Sequence, residues 1–370
     1  MRNAFLVALL FIPFILFSQD STSKKVLMVL SSYGKDQGQT RPGYEFDEFS
    51  QAYLIFKNNG LSIDLASPKG GKVDTDKFNK DKAYNQAILA DTAAMTALDH
   101  TLPTAGVDAD SYDAIYIVGG KGAMFDLPVD PSLQDIILNL YKREGTVIAS
   151  VCHGPAAFVN VKDGDDFIVK DVEITSFCNA EEELFGKKWV PEFPFLLEDK
   201  LKERGAQFSQ TDFMLSNVAV SGKFVTGQNP FSTTRSAEAL VKALGVEPAP
   251  RELYTDEATA YLIQDLLDAE RTLDWANKEL ENNTEAYETP LLAVYGYYTI
   301  LAAKQDPQQL RKGIELAELA APYFYNEKLQ MLVAKTYVSL DQPDKAREIL
   351  TQLISKDLLK AEAEKMLAEL

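Results

Sequence analysis

The sequence predicts an α/β domain, a parallel sheet with helices on both faces, followed by an all-α helical-repeat domain. Three observations lead there. Short, wholly apolar runs alternate with helical patterns from Lys24 to Gly245, as in buried parallel sheets. Those runs end in small or polar residues, where such folds place their sites. Beyond Pro248-Ala249-Pro250 the strand signals stop.

Each element has its own signature. Val26–Leu30 is a buried strand running into Ser31-Ser32-Tyr33-Gly34, and Phe46–Asn58 carries Phe46, Phe49, Tyr53 and Phe56 at helical spacing before Gly60. Leu61–Ala66 is the next strand, closed by Pro68 and Gly70-Gly71. Ala114–Val118 and Val147–Val151 are further buried strands with the helix Leu133–Arg143 between them. The insert Lys72–Asp110, rich in helical residues, is expected as a lid over the pocket. After a linker at 246–254, Glu257–Leu280, Glu285–Lys304, Gln308–Ala320, Glu327–Leu340 and Pro343–Ile354 read as helices, with a short terminal one. The run Leu332–Ala334, Tyr337, Leu340, Pro343, Ala346, Ile349–Leu350 resembles a tetratricopeptide-type pair. Such arrays present concave surfaces, so a protein partner or self-association is expected at 255–370. Because Pro248 and Pro250 mark a linker and the candidate site residues all lie before Gly245, an α/β fragment cut within Val246–Arg251 is expected to keep its fold and activity.

Composition narrows the function classes. With 55 Asp+Glu against 37 Lys+Arg the net charge is −18, which argues against binding a phosphate backbone. Arg2, the apolar run Ala4–Phe17 and Ser18 read as a signal peptide at 1–18, too short to span a bilayer of ~30 Å, so export is expected and no membrane association after its removal. No His, Cys and carboxylate cluster has metal-ligand spacing, and neither metal nor cofactor is expected. The chain has two cysteines, Cys152 and Cys178.

Cys152 is the candidate nucleophile. In Thr146-Val147-Ile148-Ala149-Ser150-Val151-Cys152-His153-Gly154-Pro155 a buried strand runs straight into Cys-His, and Gly-Pro then opens a helix. That is the layout of a nucleophile elbow, with Pro155 suited to a first helical position. A helix N-terminus beneath Cys152 is expected to favour its thiolate.

The stretch Ala149–Pro155 resembles the catalytic elbow of the ThiJ/PfpI superfamily, whose fold is flavodoxin-like and of the class I glutamine-amidotransferase type. Leu65–Gly71, Gly119-Gly120-Lys121-Gly122-Ala123-Met124-Phe125-Asp126-Leu127 and Val225–Pro230 are similar to its glutathione-independent glyoxalase and stress-chaperone branch. The resemblance covers Lys24–Gly245 and implies a glyoxalase III-type activity on small 2-oxoaldehydes such as methylglyoxal. It implies a catalytic Glu at Glu48 in Gly43-Tyr44-Glu45-Phe46-Asp47-Glu48, with Asp47 the alternative register because the motif's usual proline falls on Ala52. It implies an acid orienting His153 at Glu182, the neighbouring glutamates being solvated, and oxyanion or substrate contacts at Gly119, Gly120 and Lys121. Relatives often carry histidine at position 121, and a small hydroxyl residue where this chain has Cys178. The latter reads as a resolving thiol or as a small buried hydrophobe.

Rival readings share the elbow. An amidotransferase needs a histidine far downstream of the nucleophile, and the chain has only His100 and His153. A PfpI-like peptidase, a protein deglycase, and a non-catalytic chaperone or binding module remain alternatives.

Overall fold

Alternation of side chains decides the sheet. In the computed structural model, which describes residues 23–370, Val26 and Met28 of β1 (Lys25–Val29) face one core while Leu27 and Val29 face another. A strand apolar on both sides is stable only between two helical layers. The expected signal peptide at 1–18 lies outside the described residues. Along the chain follow α1 (Phe46–Asn58), β2 (Ser62–Ser67), α2 (Ala83–Ala90), α3 (Thr92–Asp99), β3 (Leu102–Pro103) and β4 (Ala114–Ile117). The one-turn α4 (Ala123–Asp126), α5 (Pro131–Lys142) and β5 (Val147–Val151) come next.

Two small ladders lie outside the main sheet: β6 (Lys162–Asp163) pairs with β7 (Asp166–Phe167), and β8 (Glu173–Ile174) with β9 (Gln207–Phe208). Between them run α6 (Asn179–Phe185) and α7 (Leu197–Glu203); β10 (Val218–Ser221), β11 (Phe224–Gly227) and α8 (Thr233–Ala243) complete the domain. The seven-stranded sheet has the order β10-β11-β5-β4-β1-β2-β3 and is parallel except for the edge hairpin β10–β11. The predicted class therefore holds, and β5, the elbow strand, sits between β4 and β11.

The insert 72–110 differs from the expected lid. Its helix α2 packs on α1, and its strand β3 extends the sheet edge beside β2. Only its first residues reach the pocket rim, where Asp76 accepts the Gly43 N–H (2.6 Å).

Seven helices follow: α9 (Thr255–Leu267), α10 (Leu273–Asn283), α11 (Thr289–Ala302), α12 (Pro307–Ala320), α13 (Glu327–Ser339), α14 (Pro343–Ser355) and α15 (Lys360–Ala368). The single helix expected over Glu257–Leu280 is two. Ala269 takes a left-handed φ of 58°, and the Thr272 side chain caps α10 by accepting the Trp275 N–H, which lets α10 fold back and bury Ala276 and Leu280. Among the described residues no helix is long and apolar enough to cross a membrane.

Residues 246–254 form no regular element, yet they do not hold the helices apart from the sheet. Leu215, from the loop between β9 and β10, belongs to the helical core. Arg251 donates to Glu238 on α8 (2.7 Å) and to Glu257 on α9 (2.6 Å), and Glu257 also accepts from Thr234 (2.7 Å). Burial pushes the Glu257 carboxyl up, but the Arg251 guanidinium outweighs it and holds it below the ordinary range. Stability from this pair is therefore present at neutral pH and is lost as pH falls through the carboxylate range. Replacing Arg251 by Ala strands the nearly inaccessible Glu257 charge and is expected to cost about 2–4 kcal/mol. A urea titration at pH 7 reads this as a lower midpoint; an unchanged midpoint would show the junction to be energetically idle.

Candidate active site

The site is assembled where β5 ends. Cys152 is left-handed (φ 59°), a conformation that costs a non-glycine residue energy and persists only when its surroundings enforce it. They do: its N–H donates to the Gly227 carbonyl and its carbonyl accepts the Phe177 N–H, both at 2.9 Å. The turn continues into a five-residue 3₁₀ segment, Gly154–Phe158, instead of the expected α-helix. So short a segment has little dipole to offer, and the expected lowering of the thiol pKa is overturned. Burial and the neighbouring Glu48 charge push the Cys152 thiol up.

Glu48 reaches the thiol from α1. Its carboxyl is wholly buried beside Cys152; Oε2 accepts the Gly119 N–H at 2.8 Å, and Oε1 has no hydrogen-bond partner. Position 119 must be glycine, because a Cβ there would lie 2.7 Å from Glu48 Oε2 and 2.8 Å from the Cys152 Cβ. Desolvation raises the Glu48 pKa to about 8, with Cys152 and the Gly119 N–H working the other way. Asp47, the alternative register, points elsewhere and accepts from Asn85 and Tyr84.

On the other side His153 Nδ1 lies 3.2 Å from Cys152 Sγ, and Nε2 lies 2.7 Å from Glu182 Oε1. A carboxylate on Nε2 favours the tautomer protonated there and leaves Nδ1 free to take the thiol proton. Phe177 stacks on the imidazole (4.6 Å between centroids) and Phe193 meets it edge-on. All four groups are buried, Cys152 being 4% exposed.

The structure thus brings Glu48, Cys152, His153 and Glu182 together and redistributes the remaining candidates. The Gly119 N–H is committed to Glu48, while that of Gly120 is directed at the thiol, so of the two Gly120 is the one aimed at the reacting centre. Lys121 stands 5.9 Å above the Phe177 ring, and its charge favours ionisation of Glu45, Glu48, Asp76 and Cys152. Cys178 is a free, buried cysteine whose side chain caps α6 together with Glu181, and burial pushes its thiol up to about 12. His100 is exposed at the end of α3, bonded to Thr96.

The sequence reading missed Glu181. It is not solvated but fully buried: one oxygen accepts from Met214 N, Gln228 Nε2 and Asn229 Nδ2, and the other from Cys178 N. Of the three consecutive glutamates only Glu183 is exposed. A signal existed in the Cys178-x-x-Glu181 spacing, which imitates a capping box. It also explains Gln228-Asn229, whose side chains hold α6 in place.

The DJ-1/PfpI family model matches residues 24–243. The glutathione-independent glyoxalase hsp3102 of Schizosaccharomyces pombe is 29% identical over 250 residues, covering 60% of this chain and 98% of that one. Among solved structures, the glyoxalase III of Candida albicans is 26% identical with a TM-score of 0.55, covering 60% of this chain and 97% of that one. The Rapid Encystment Protein 24 kDa of Francisella tularensis is 33% identical with a TM-score of 0.56, covering 60% and 99%. The family match ends where the helical region begins, and over residues 24–243 this chain is a member of the DJ-1/PfpI family.

Proposed function

We propose that the protein is a glutathione-independent glyoxalase converting 2-oxoaldehydes such as methylglyoxal to 2-hydroxy acids. The carrying observation is a buried carboxyl of raised pKa beside a buried thiol whose other face meets a carboxylate-oriented histidine. The Cys152 thiolate adds to the aldehyde carbon, and the alkoxide formed takes a proton to give a hemithioacetal. Glu48 removes the hydrogen on that carbon as a proton and returns it to the neighbouring keto carbon, while the hemithioacetal hydroxyl proton passes to the former keto oxygen, leaving a thioester. Water then cleaves the thioester, releasing the hydroxy acid and the thiol, so the sum is aldehyde plus water. Gly120 N–H is the nearest candidate donor for the developing oxyanion. The near-complete burial of Cys152 favours a small substrate over a peptide.

Purified protein with methylglyoxal and no glutathione is expected to yield lactate. Cys152→Ser and Glu48→Gln should each lose at least about 10³-fold in kcat/KM, and native turnover by either variant would sink the mechanism.

The pH profile follows from the Glu48–Cys152 pair. Below the Glu48 pKa of about 8 the pair holds two protons and neither base nor thiolate is ready. Above it one proton remains, shared between them. Hence kcat/KM should fall about tenfold per pH unit on the acid side of 8; a profile flat from pH 6 to 9 contradicts the assignment.

We further infer export, from the apolar run that follows Arg2. Intact mass of protein from its native host should correspond to a chain starting near Gln19, and a full-length mass would refute it.

A further inference from the structure

Helix α11 contributes no side chain to the bonds around Cys152, yet polar chains run from it to Glu181 and Asp47, the residues immediately preceding the two carboxylates of the site. One leaves the middle of the helix. Tyr295 Oη donates to the Met214 carbonyl, and the Met214 N–H donates to Glu181 Oε1 at 2.8 Å. Glu181 and Glu182 are adjacent in the first turn of α6, and Glu182 in turn orients His153. Met214 itself is left-handed (φ 55°), so the Tyr295 bond holds a backbone that would otherwise relax. At the far end of α6, Phe185 packs on Tyr298 (4.8 Å between centroids).

The other chain leaves the helix N-terminus. Glu288, the N-cap residue of α11, is paired with Lys82, whose Nζ is also 3.0 Å from Asp256 Oδ2. The Tyr84 hydroxyl lies 2.8 Å from that same oxygen and 3.2 Å from Asp47 Oδ2. Asp47 immediately precedes Glu48, and Asn85 holds its second oxygen at 2.6 Å. Helix α11 is itself rigidly seated. A Cβ on Gly296 would come within 2.7 Å of the Ala317 nitrogen, so α11 and α12 meet backbone to backbone.

We propose that α11 acts as a clamp, with Tyr295 and Tyr84 as positioning residues that hold Glu182 and Glu48 in register on opposite sides of Cys152. This rests on reading Cys152 as the nucleophile and those two carboxylates as its partners. The helical region then completes the site, and displacement of either carboxylate by a fraction of an ångström weakens catalysis without touching substrate binding.

The test uses the full chain with Tyr295→Phe and Tyr84→Phe, which keep the rings and remove the hydroxyls. Two quantities are measured: alkylation of Cys152 by iodoacetamide, followed on the Cys152 peptide by mass spectrometry, and lactate formation from methylglyoxal. Each variant should retain its melting temperature and lose about tenfold in kcat with KM within about twofold; Tyr295→Phe should alkylate about tenfold more slowly as His153 loses its fixed carboxylate, and Tyr84→Phe about threefold faster as the Glu48 charge moves off the thiol. Should the phenylalanine variants fail to fold, Glu288→Gln decides by the same criteria with an expected loss of about threefold, since that side chain is one-third exposed. Folded variants with wild-type alkylation and wild-type kcat overturn the clamp. A wild-type chain that makes no lactate, while its variants still show these alkylation changes, overturns the glyoxalase reading and supports the clamp.

Discussion

The burial of the Glu48 carboxyl beside the Cys152 thiol is the constraint around which the rest is arranged. In water a carboxylic acid and a thiol ionise about four pH units apart and have no reason to share a proton. Burial raises both, and the carboxyl most consequentially, because a value near 8 keeps it protonated at neutral pH and makes it a far stronger base than a free carboxylate once it ionises. Exposing the pair to solvent would erase that property even if every distance were kept.

Holding the pair dry and in contact sets demands on distant parts of the sequence. Gly119 must lack a side chain so that α1 can approach β5, and its N–H must meet Glu48 so that the carboxylate form is not stranded. Cys152 must stay left-handed, which requires the carbonyl of Gly227 on β11 and the N–H of Phe177. Glu181 must be buried for Glu182 to face His153, and that requires Gln228 and Asn229 just beyond β11. Motifs scattered along the chain thus serve one geometric purpose.

The helical region enters the same economy of contacts. The family core ends at residue 243, yet Lys82 and Tyr84 on one side and Met214 and Leu215 on the other find their partners beyond it. The chain boundary at 246–254 is plain in sequence, but contacts cross it on both sides.

Much of this was legible in the sequence. Strand β5 begins and ends where its apolar run does, and α1 spans the residues whose aromatic spacing announced it, because burial on one or two faces leaves a periodic trace. The elbow was readable because strand, Cys-His and Gly-Pro are contiguous. Tertiary structure decided what contiguity cannot carry. It turned Glu48 and not Asp47 toward the thiol, buried Glu181 beside Glu182, ended α9 at Leu267, and laid the 72–110 insert against α1 instead of over the pocket. It also reversed the expected direction of the thiol pKa, because that depends on how much water reaches the sulfur and which charge stands beside it. The charge comes from a residue about a hundred positions away and the burial from several segments at once, and local sequence records neither.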